Sequence, residues 1–215
     1  YFDEISTGPQ IPPVMVDKDY AVLQPPPSDG IRIVLEDRVE FPRLYLAWRT
    51  PCLFADGDAG MDVLAQLLAG GKTSRLYQAL VQERRMATDV SAEQGSLELA
   101  GWFCIAATVA PGRGADEIEK VIREELTVLV ETGPSVAEMQ RSLAQIEAQF
   151  VYSVQRVGGF NSRSDQLNAY NVYTGDPGFM VKDRARYREV TIDRVRNLVT
   201  TQLTVGGRVA LTVVP

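Results

Sequence analysis

The residues best suited to chemistry lie in the stretch GGKTSRLYQALVQERRMAT, residues 70–88. Its Gly-Lys-Thr matches the end of a nucleotide-binding P-loop, in which glycine amides wrap the phosphates and the lysine reaches them. That motif needs a glycine five positions before Gly71, where Gln66 stands. A P-loop also follows a strand, whereas the residues before Gly70 have the apolar spacing of a helix. The stretch therefore predicts a helix end and a turn into a second helix, and argues against a phosphate site.

A second candidate site is a calcium loop at Asp56-Gly57-Asp58. An EF-hand needs another oxygen ligand two residues further on and a bidentate glutamate at its twelfth position. Gly60 and Leu67 occupy those positions, and neither has a side-chain oxygen. We expect a polar turn, with Asp58 as the N-cap of the helix that follows.

Charged clusters could also carry acid–base or anion-binding chemistry. Five carboxylates crowd one predicted helix: Asp116, Glu117, Glu119, Glu124 and Glu125. Acidic residues in a first helical turn complement the helix dipole, and the rest are expected on a solvated face. Arg84-Arg85 and the RARYRE stretch, residues 184–189, are likewise predicted to lie on the surface.

The chain contains no histidine. This removes the commonest general base, the commonest nitrogen ligand of zinc, and the middle member of any Ser-His-Asp triad. The two cysteines, Cys52 and Cys104, fall in apolar stretches and are predicted to be buried free thiols. A single cross-strand disulfide between them remains an alternative.

The composition indicates a globular chain with one core. There are 215 residues, 45% hydrophobic and 23% charged, a length typical of a single domain. The net charge of −6 argues against nucleic-acid binding, which needs a basic surface. No apolar run is long enough for a membrane span. Because the chain begins with Tyr1, we expect a fragment of a longer, multidomain protein.

The helices and strands that position these residues are predicted from turn-forming residues and from the spacing of apolar residues. Residues 1–30 are rich in proline and are predicted to be a lead-in or linker, and residues 31–215 a single domain. Strands are predicted at 31–35 and 43–50, the second with Leu44, Leu46 and Trp48 on one face. A helix from about residue 58 ends at the two glycines, and a second starts near residue 73.

Two further strands, at 87–94 and 101–109, precede a helix that starts at Asp116. Ser135 and Glu138 form a capping box that opens the longest helix, whose apolar stripe runs from Met139 to Val157. Shorter helices follow, and the closing VALTVV run is predicted to be a strand buried on both sides. The order predicts an α+β fold: a mixed, mostly antiparallel sheet with helices packed on one face.

Residues 70–77, Gly-Gly-Lys-Thr-Ser-Arg-Leu-Tyr, resemble the Gly-Gly-x-x-Ser-Arg-Leu-aromatic signature of the pitrilysin/insulinase zinc metallopeptidases. The signature belongs to their second-type, noncatalytic domain, as in proteins like mitochondrial processing peptidase. YFDEI with the proline-rich stretch, PRLYLAW, LAGWF, the long capped helix and the last strand resemble that domain in order. The resemblance covers essentially the whole chain and implies the metallohydrolase-like fold of that family.

The resemblance implies a two-halved chamber in which each half has two similar α+β domains. Zinc would lie in the preceding domain, on a His-x-x-Glu-His motif whose glutamate activates water. The partners would be that zinc domain, the opposite half of the chamber and a peptide substrate, with no nucleic acid and no membrane span. A bacterial envelope or a mitochondrion-like compartment would suit such a protein.

The resemblance also concerns two side chains of the family's last domain, an Arg and a Tyr that help to stabilise the tetrahedral intermediate. The matching positions here hold Val81 and Thr88, which can do neither job, so no catalytic, cofactor-binding or metal-binding residue is expected in this chain. We therefore expect a noncatalytic domain that supports a zinc domain and forms part of a peptide-binding chamber. A homologous assembly or scaffold subunit with no proteolytic role, and a nucleotide-dependent enzyme, are the alternatives.

Overall fold

A computed structural model describes residues 30–204 and 207–215. The predicted lead-in, apart from Gly30, lies outside these residues. The strands are β1 Ile31–Glu36, β2 Arg43–Thr50, β3 Ala87–Gly95, β4 Gly101–Val109 and β5 Arg208–Val214. The helices are α1 Asp58–Ala69, α2 Tyr77–Glu83, α3 Ala115–Thr132, α4 Val136–Gln155, α5 Arg163–Thr174, α6 Met180–Arg188 and α7 Ile192–Leu198. The segment α2 is π-helical, and a π-helical turn, Val199–Thr204, continues α7.

The five strands form one sheet in the order β1-β5-β2-β4-β3. The β1–β5 pair is parallel, and the β5–β2, β2–β4 and β4–β3 pairs are antiparallel. The predicted α+β class and the mixed, mostly antiparallel sheet are therefore confirmed. The last strand of the chain lies inside the sheet, between β1 and β2, so both ends of the described chain meet in one ladder.

One face of the sheet, the core face, packs against helices. Leu44, Leu46 and Trp48 of β2 are buried there, as alternation predicts. Their cross-strand neighbours on β4, such as Phe103 and Ile105, are also fully buried. Helix α1 adds its apolar stripe, and α3 adds Ile118, Val121, Ile122, Leu126 and Leu129.

The opposite face, called the open face below, carries the alternate residues of each strand. On β2 these are half-buried, in strict alternation with the buried ones. On β1 every residue is exposed. The expectation that the last strand is buried on both sides is wrong, because five of the seven residues of β5 are only half-buried. Apolar composition predicted a covered strand, but the helices cover only one face.

The long helix α4 begins with the predicted capping box. The backbone N–H of Ser135 donates to Glu138 Oε2 at 2.7 Å, and the backbone N–H of Glu138 donates to Ser135 Oγ at 3.3 Å. Met139 is buried, but the predicted stripe does not continue to the end, since Val157 lies beyond the helix and is 72% exposed. The two buried residues of α4, Met139 and Ser142, both lie in its first half.

The cysteines match the expectation of free thiols but are less buried than predicted. Both Cys52 and Cys104 are free and half-buried. Cys104 pairs across the ladder with Ala47, whereas Cys52 lies beyond the end of β2, so the two do not form a cross-strand pair. Separately, no helix among the described residues has the length and apolar character needed to cross a membrane.

Candidate functional site

The glycine pair of the signature stretch ends α1 and turns the chain into the next helix. The backbone N–H of Gly70 donates to Gln66 O at 2.9 Å, and Gly71 has φ +106°, a left-handed conformation that suits glycine. Ser74 Oγ donates to Gly71 O at 2.6 Å. The Gly-Lys-Thr sequence is thus a helix–turn–helix junction, and the phosphate cradle of a P-loop, which follows a strand, is not formed.

The signature arginine, Arg75, holds the start of α4. Its Nε lies 2.7 Å from Glu138 Oε1 and its Nη2 lies 3.0 Å from Glu138 Oε2, so the pair is bidentate. Glu138 is the same residue that closes the capping box with Ser135. Although burial opposes ionisation, the hydrogen bonds from Arg75 and Ser135 lower the pKa of Glu138 to about 2. Arg75 is therefore a structural clamp between two helices.

The two positions matched to the family's Arg and Tyr do not line the three best-formed pockets of the described residues. Val81 is half-buried in α2 and packs against the hydrophobic core. Thr88 is exposed on β3, at a bulge where Ala87 and Asp89 pair with consecutive residues of β4. A bulge re-aims side chains locally. Neither residue lines the large cleft described below.

The turn after α2 contains a residue in a conformation that favours glycine. Arg85 is exposed and has φ 51°, which costs roughly 1 kcal/mol for most residues. We expect Arg85→Gly to raise the free energy of unfolding by roughly 0.5 to 1 kcal/mol in urea titrations. Arg84→Gly is the matched control, because Arg84 has φ −86°, and it should lower stability. An R85G variant no more stable than the wild type would contradict the assignment.

A cleft lies at the β3 edge of the sheet, between α1, α4, α5 and α6. Its volume is about 400 Å³. Leu143, Ile146 and Phe150 of α4 supply an apolar wall. The polar lining comprises Asp62, Gln66, Glu93, Gln94, Glu147, Gln149, Ser153, Asn161, Gln166, Asp183, Arg184 and Arg188. An apolar wall with many amide groups is a surface on which a polypeptide could lie.

Asp62 is the cleft residue with the most altered acidity. Its Oδ2 accepts a hydrogen bond of 2.7 Å from Tyr187 Oη. Burial raises the pKa of Asp62 to about 7, against the opposing effect of that hydrogen bond. Burial and the charge of Asp62 raise the pKa of Tyr187, so its hydroxyl keeps its proton and remains a donor. The pair forms a hydrogen bond that joins α1 to α6.

Asp58 does not cap α1, contrary to the prediction, because the N-cap is Gly57. Its carboxylate is buried and accepts hydrogen bonds from the backbone N–H of Phe54 at 3.0 Å, from Ser96 Oγ and from Arg186 Nη2 at 3.1 Å. The same hydrogen bonds argue against a calcium site, because they occupy the oxygen atoms of the Asp58 carboxylate. The other acid of that turn, Asp56, forms an ion pair with Arg194.

Two more charged residues are shielded from solvent where the sequence predicted a solvated surface: Glu119 is buried and Arg186 is half-buried. Arg186, in the arginine-rich stretch, contacts Asp58 and Asp183 and lies 5.0 Å from the ring centroid of Phe54. Glu119 is 1% exposed and binds Arg32 Nη2 at 2.7 Å and also Arg208. No sequence signal distinguishes these residues from their exposed neighbours, because each depends on a partner far along the chain.

The described residues include no group of three or more Cys, Asp or Glu side chains placed to hold a metal ion. The α1 residues that line the cleft, Asp62, Ala65 and Gln66, have the i, i+3, i+4 spacing of His-x-x-Glu-His. Their side chains cannot replace it, since Ala65 has no ligand atom and Gln66 has a neutral amide. The face of α1 that lines the cleft therefore does not carry the His-x-x-Glu-His ligand set.

The sequence is similar to a known protein family and to curated proteins. Residues 1–146 match the family described as the peptidase M16 inactive domain. An uncharacterized zinc protease of Streptomyces coelicolor is 28% identical over 154 residues, which cover 72% of this chain and 32% of that protein. The chain spans about a third of the length of the curated relatives it matches.

Solved structures share the fold. A protease from Helicobacter pylori superposes with a TM-score of 0.75 at 20% identity, over 88% of this chain and 46% of that one. A peptidase M16 inactive domain from Pseudomonas fluorescens has a TM-score of 0.71 at 16% identity, over 87% of this chain and 44% of that one.

Proposed function

We propose, from the premise that this chain belongs to the peptidase M16 inactive-domain family, that it is the noncatalytic domain of a zinc metalloendopeptidase. The observation that carries the proposal is the absence of histidine from the sequence, which leaves this chain without the two His ligands of a His-x-x-Glu-His zinc motif. The matched relative from Streptomyces coelicolor is named a zinc protease. Zinc and the water-activating glutamate would belong to a preceding domain of the parent protein.

The role of the domain in that parent is to support the zinc domain and to form part of the wall of the peptide-binding chamber. Two features support this role. The cleft offers amides and an apolar wall to a polypeptide, and the helices leave one face of the sheet uncovered. Val81 and Thr88 take no part in stabilising the tetrahedral intermediate, since Val81 packs against the core and Thr88 is short.

The experiment that tests the proposal uses the full-length parent and this chain, purified without chelator. We expect one zinc per parent molecule and peptidase activity, and neither zinc nor activity in this chain. In the parent, Val81→Ala with Thr88→Ala should leave kcat within about twofold, whereas loss of one oxyanion donor typically costs about 100-fold or more.

An intact parent with no His-x-x-Glu-His motif and no zinc would contradict the proposal and favour a scaffold subunit. Tightly bound zinc in this chain would contradict the noncatalytic assignment itself. A 100-fold loss of kcat in the double variant would show that Val81 and Thr88 have catalytic roles.

A further inference from the structure

The charges that line the cleft are not balanced. Its two arginines, Arg184 and Arg188, both direct Nη2 to Glu147 Oε1, so these three groups satisfy one another. Two other acids of the lining, Asp62 and Glu93, form no ion pair within the part of the chain that the structure describes. The cleft therefore has carboxylates without cations, whereas its cations already have a carboxylate.

The half-buried arginine of α6, Arg186, does not balance Asp62 either. Its Nη2 lies 3.1 Å from Asp58 Oδ2 and its Nε lies 3.2 Å from Asp183 Oδ1. Asp62 keeps only the neutral hydrogen bond that Tyr187 donates to its Oδ2, and its Oδ1 accepts none from the described residues. A shielded carboxylate without a cation costs free energy, which a bound cation would recover.

Two further oxygen atoms of the cleft residues lack donors among the described groups. Asp183 is 8% exposed, and its Oδ1 has no hydrogen-bond partner even though Arg186 Nε is near. The Oε1 of Gln166 is buried and has none. Both residues line the cleft. Buried acceptors without partners are rare in folded proteins, so the group that suits this cleft is a hydrogen-bond donor.

The wall of the cleft opposite these acids is apolar. Leu143, Ile146 and Phe150 of α4 form it, and the guanidinium of Arg184 lies 5.6 Å from the ring centroid of Phe150. Cationic side chains commonly lay an aliphatic stem along such a surface while the charged head reaches a polar group. The volume of about 400 Å³ is within the range of small-ligand sites.

We propose that the cleft binds a cationic group carried on an aliphatic stem, with Asp62 as its counter-ion and the α4 wall against the stem. The lysine side chain of a peptide has this chemistry, and so has a free diamine. The cation site does not depend on the proposed function, whereas a peptide as the source of the cation rests on it. An anion does not suit the cleft, because both arginines of the lining are bound to Glu147.

Binding of the cation depends on pH. Burial raises the pKa of Asp62 to about 7, and a bound cation favours the charged carboxylate, so binding releases a proton. Affinity should therefore rise by about tenfold from pH 6 to pH 8 and level off above. The charged and titratable groups that face Asp62 are Asp58 on α1, Asp183, Arg186 and Tyr187 on α6, Glu147 on α4 and Glu93 on β3.

The test is an NMR titration of this isotope-labelled 215-residue chain at pH 8. The probe is the capped peptide Gly-Gly-Lys-Gly-Gly, and its control carries norleucine, which has the same carbon chain without the ammonium. We expect the lysine peptide to shift the amide signals of the cleft residues saturably and to bind roughly tenfold tighter than the control. Cadaverine, a free diamine, tests the second source of the cation.

Asp62→Asn removes the counter-ion and keeps an acceptor for Tyr187. It should weaken binding of the lysine peptide to the level of the norleucine peptide and abolish the dependence on pH. Asp56→Asn is the matched control, because it also removes one carboxylate, but Asp56 is 89% exposed and pairs with Arg194. It should bind as the wild type does. The comparison of the two peptides uses only wild-type protein, so it tests the site even if Asp62→Asn folds poorly.

Equal affinity for the lysine and norleucine peptides would overturn the proposal, and so would an Asp62→Asn variant that binds like the wild type. Binding of cadaverine but not of the lysine peptide would keep the cation site and reject the peptide as its source. Zinc content of the parent reports separately on the proposed function: a cation site in this chain with a zinc-free parent would reject the peptidase alone.

Discussion

Replacement of Arg75 by alanine is expected to lower the free energy of unfolding by about 3 kcal/mol. The guanidinium makes two hydrogen bonds to Glu138, and the side chains are only 16% and 18% exposed. Without Arg75, a largely buried carboxylate keeps only its bonds to Ser135. Urea titration followed by circular dichroism measures the change. The free energy of unfolding of Arg75→Lys should lie between those of the wild type and Arg75→Ala, because an ammonium cannot bond to the carboxylate in the same bidentate way.

Arg84→Ala is the matched control for this prediction. Arg84 also lies in the signature stretch and pairs with Glu124 at 2.9 Å, but the two side chains are 43% and 42% exposed. Exposed ion pairs contribute little, so a loss within about 0.5 kcal/mol is expected. Equal losses for Arg75→Ala and Arg84→Ala would contradict the clamp.

The Arg75–Glu138 pair also makes the free energy of unfolding depend on pH. The pKa of Glu138 in the folded protein, about 2, is lower than the usual 4.5, so its stabilising contribution is present above pH 4.5 and is lost as the pH falls towards 2. Arg75→Ala should remove much of this loss, because the charge that lowers the pKa is gone. The measurement is the slope of unfolding free energy between pH 4.5 and 2.

Asp62→Asn is expected to stabilise the protein by about 2 kcal/mol at pH 8. Burial raises the pKa of Asp62 from 3.8 to about 7, so between about pH 4 and 7 the folded state holds a proton that the unfolded state has released, and at pH 8 the folded state holds a buried charge. The stability due to this group is therefore complete below about pH 4 and declines until the pH passes 7. Asparagine can still accept the hydrogen bond from Tyr187 without a buried charge. Part of the carboxyl faces the cleft, and water there reduces the effect.

The comparison that tests this assignment is the pH profile of stability from pH 4 to 8.5. The wild type should lose stability across this range, and Asp62→Asn should flatten the profile. Tyr187→Phe should act in the opposite sense, because the hydrogen bond from Tyr187 lowers the pKa of Asp62. An Asp62→Asn variant with the wild-type profile would show that another group titrates.

Glu138 and Asp62 change the stability of the protein in opposite directions as the pH rises. Glu138 lowers stability on the acid side, below about 4.5, and Asp62 lowers it as the pH rises towards 7. The combined contribution of these two groups to stability is therefore greatest at about pH 4 to 5.

Much of the fold could be predicted from local patterns. The alternation of apolar residues predicted β2, with Leu44, Leu46 and Trp48 on one face. The glycine pair Gly70-Gly71 predicted the end of α1, and the Ser135 capping box predicted the start of α4. These signals work because a turn, a cap or a period of two depends on neighbours within a few residues. The failed P-loop match was likewise a local matter of one missing glycine and the wrong preceding element.

The chemical state of the charged residues was not predictable in this way. Asp58 was assigned as a cap and Glu119 to a solvated face, yet both are 1% exposed. Arg186 was placed on the surface, yet it pairs with Asp58 across 128 positions of the chain. The partners of Arg75 and Arg32 lie 63 and 87 positions away. Each partnership forms only when distant helices and strands meet.

The order of residues alone predicted which chemistry this chain lacks and which family it belongs to: it has no histidine and no complete P-loop, and residues 70–77 carry the signature of a family whose model the chain matches. Only the tertiary structure showed that Arg75 pairs with Glu138, that burial raises the pKa of Asp62, and that Asp62 lies in a cleft with an apolar wall. The reason is physical. Residue type and spacing decide which groups are available, whereas burial and the distance between partners decide which are ionised, paired or exposed.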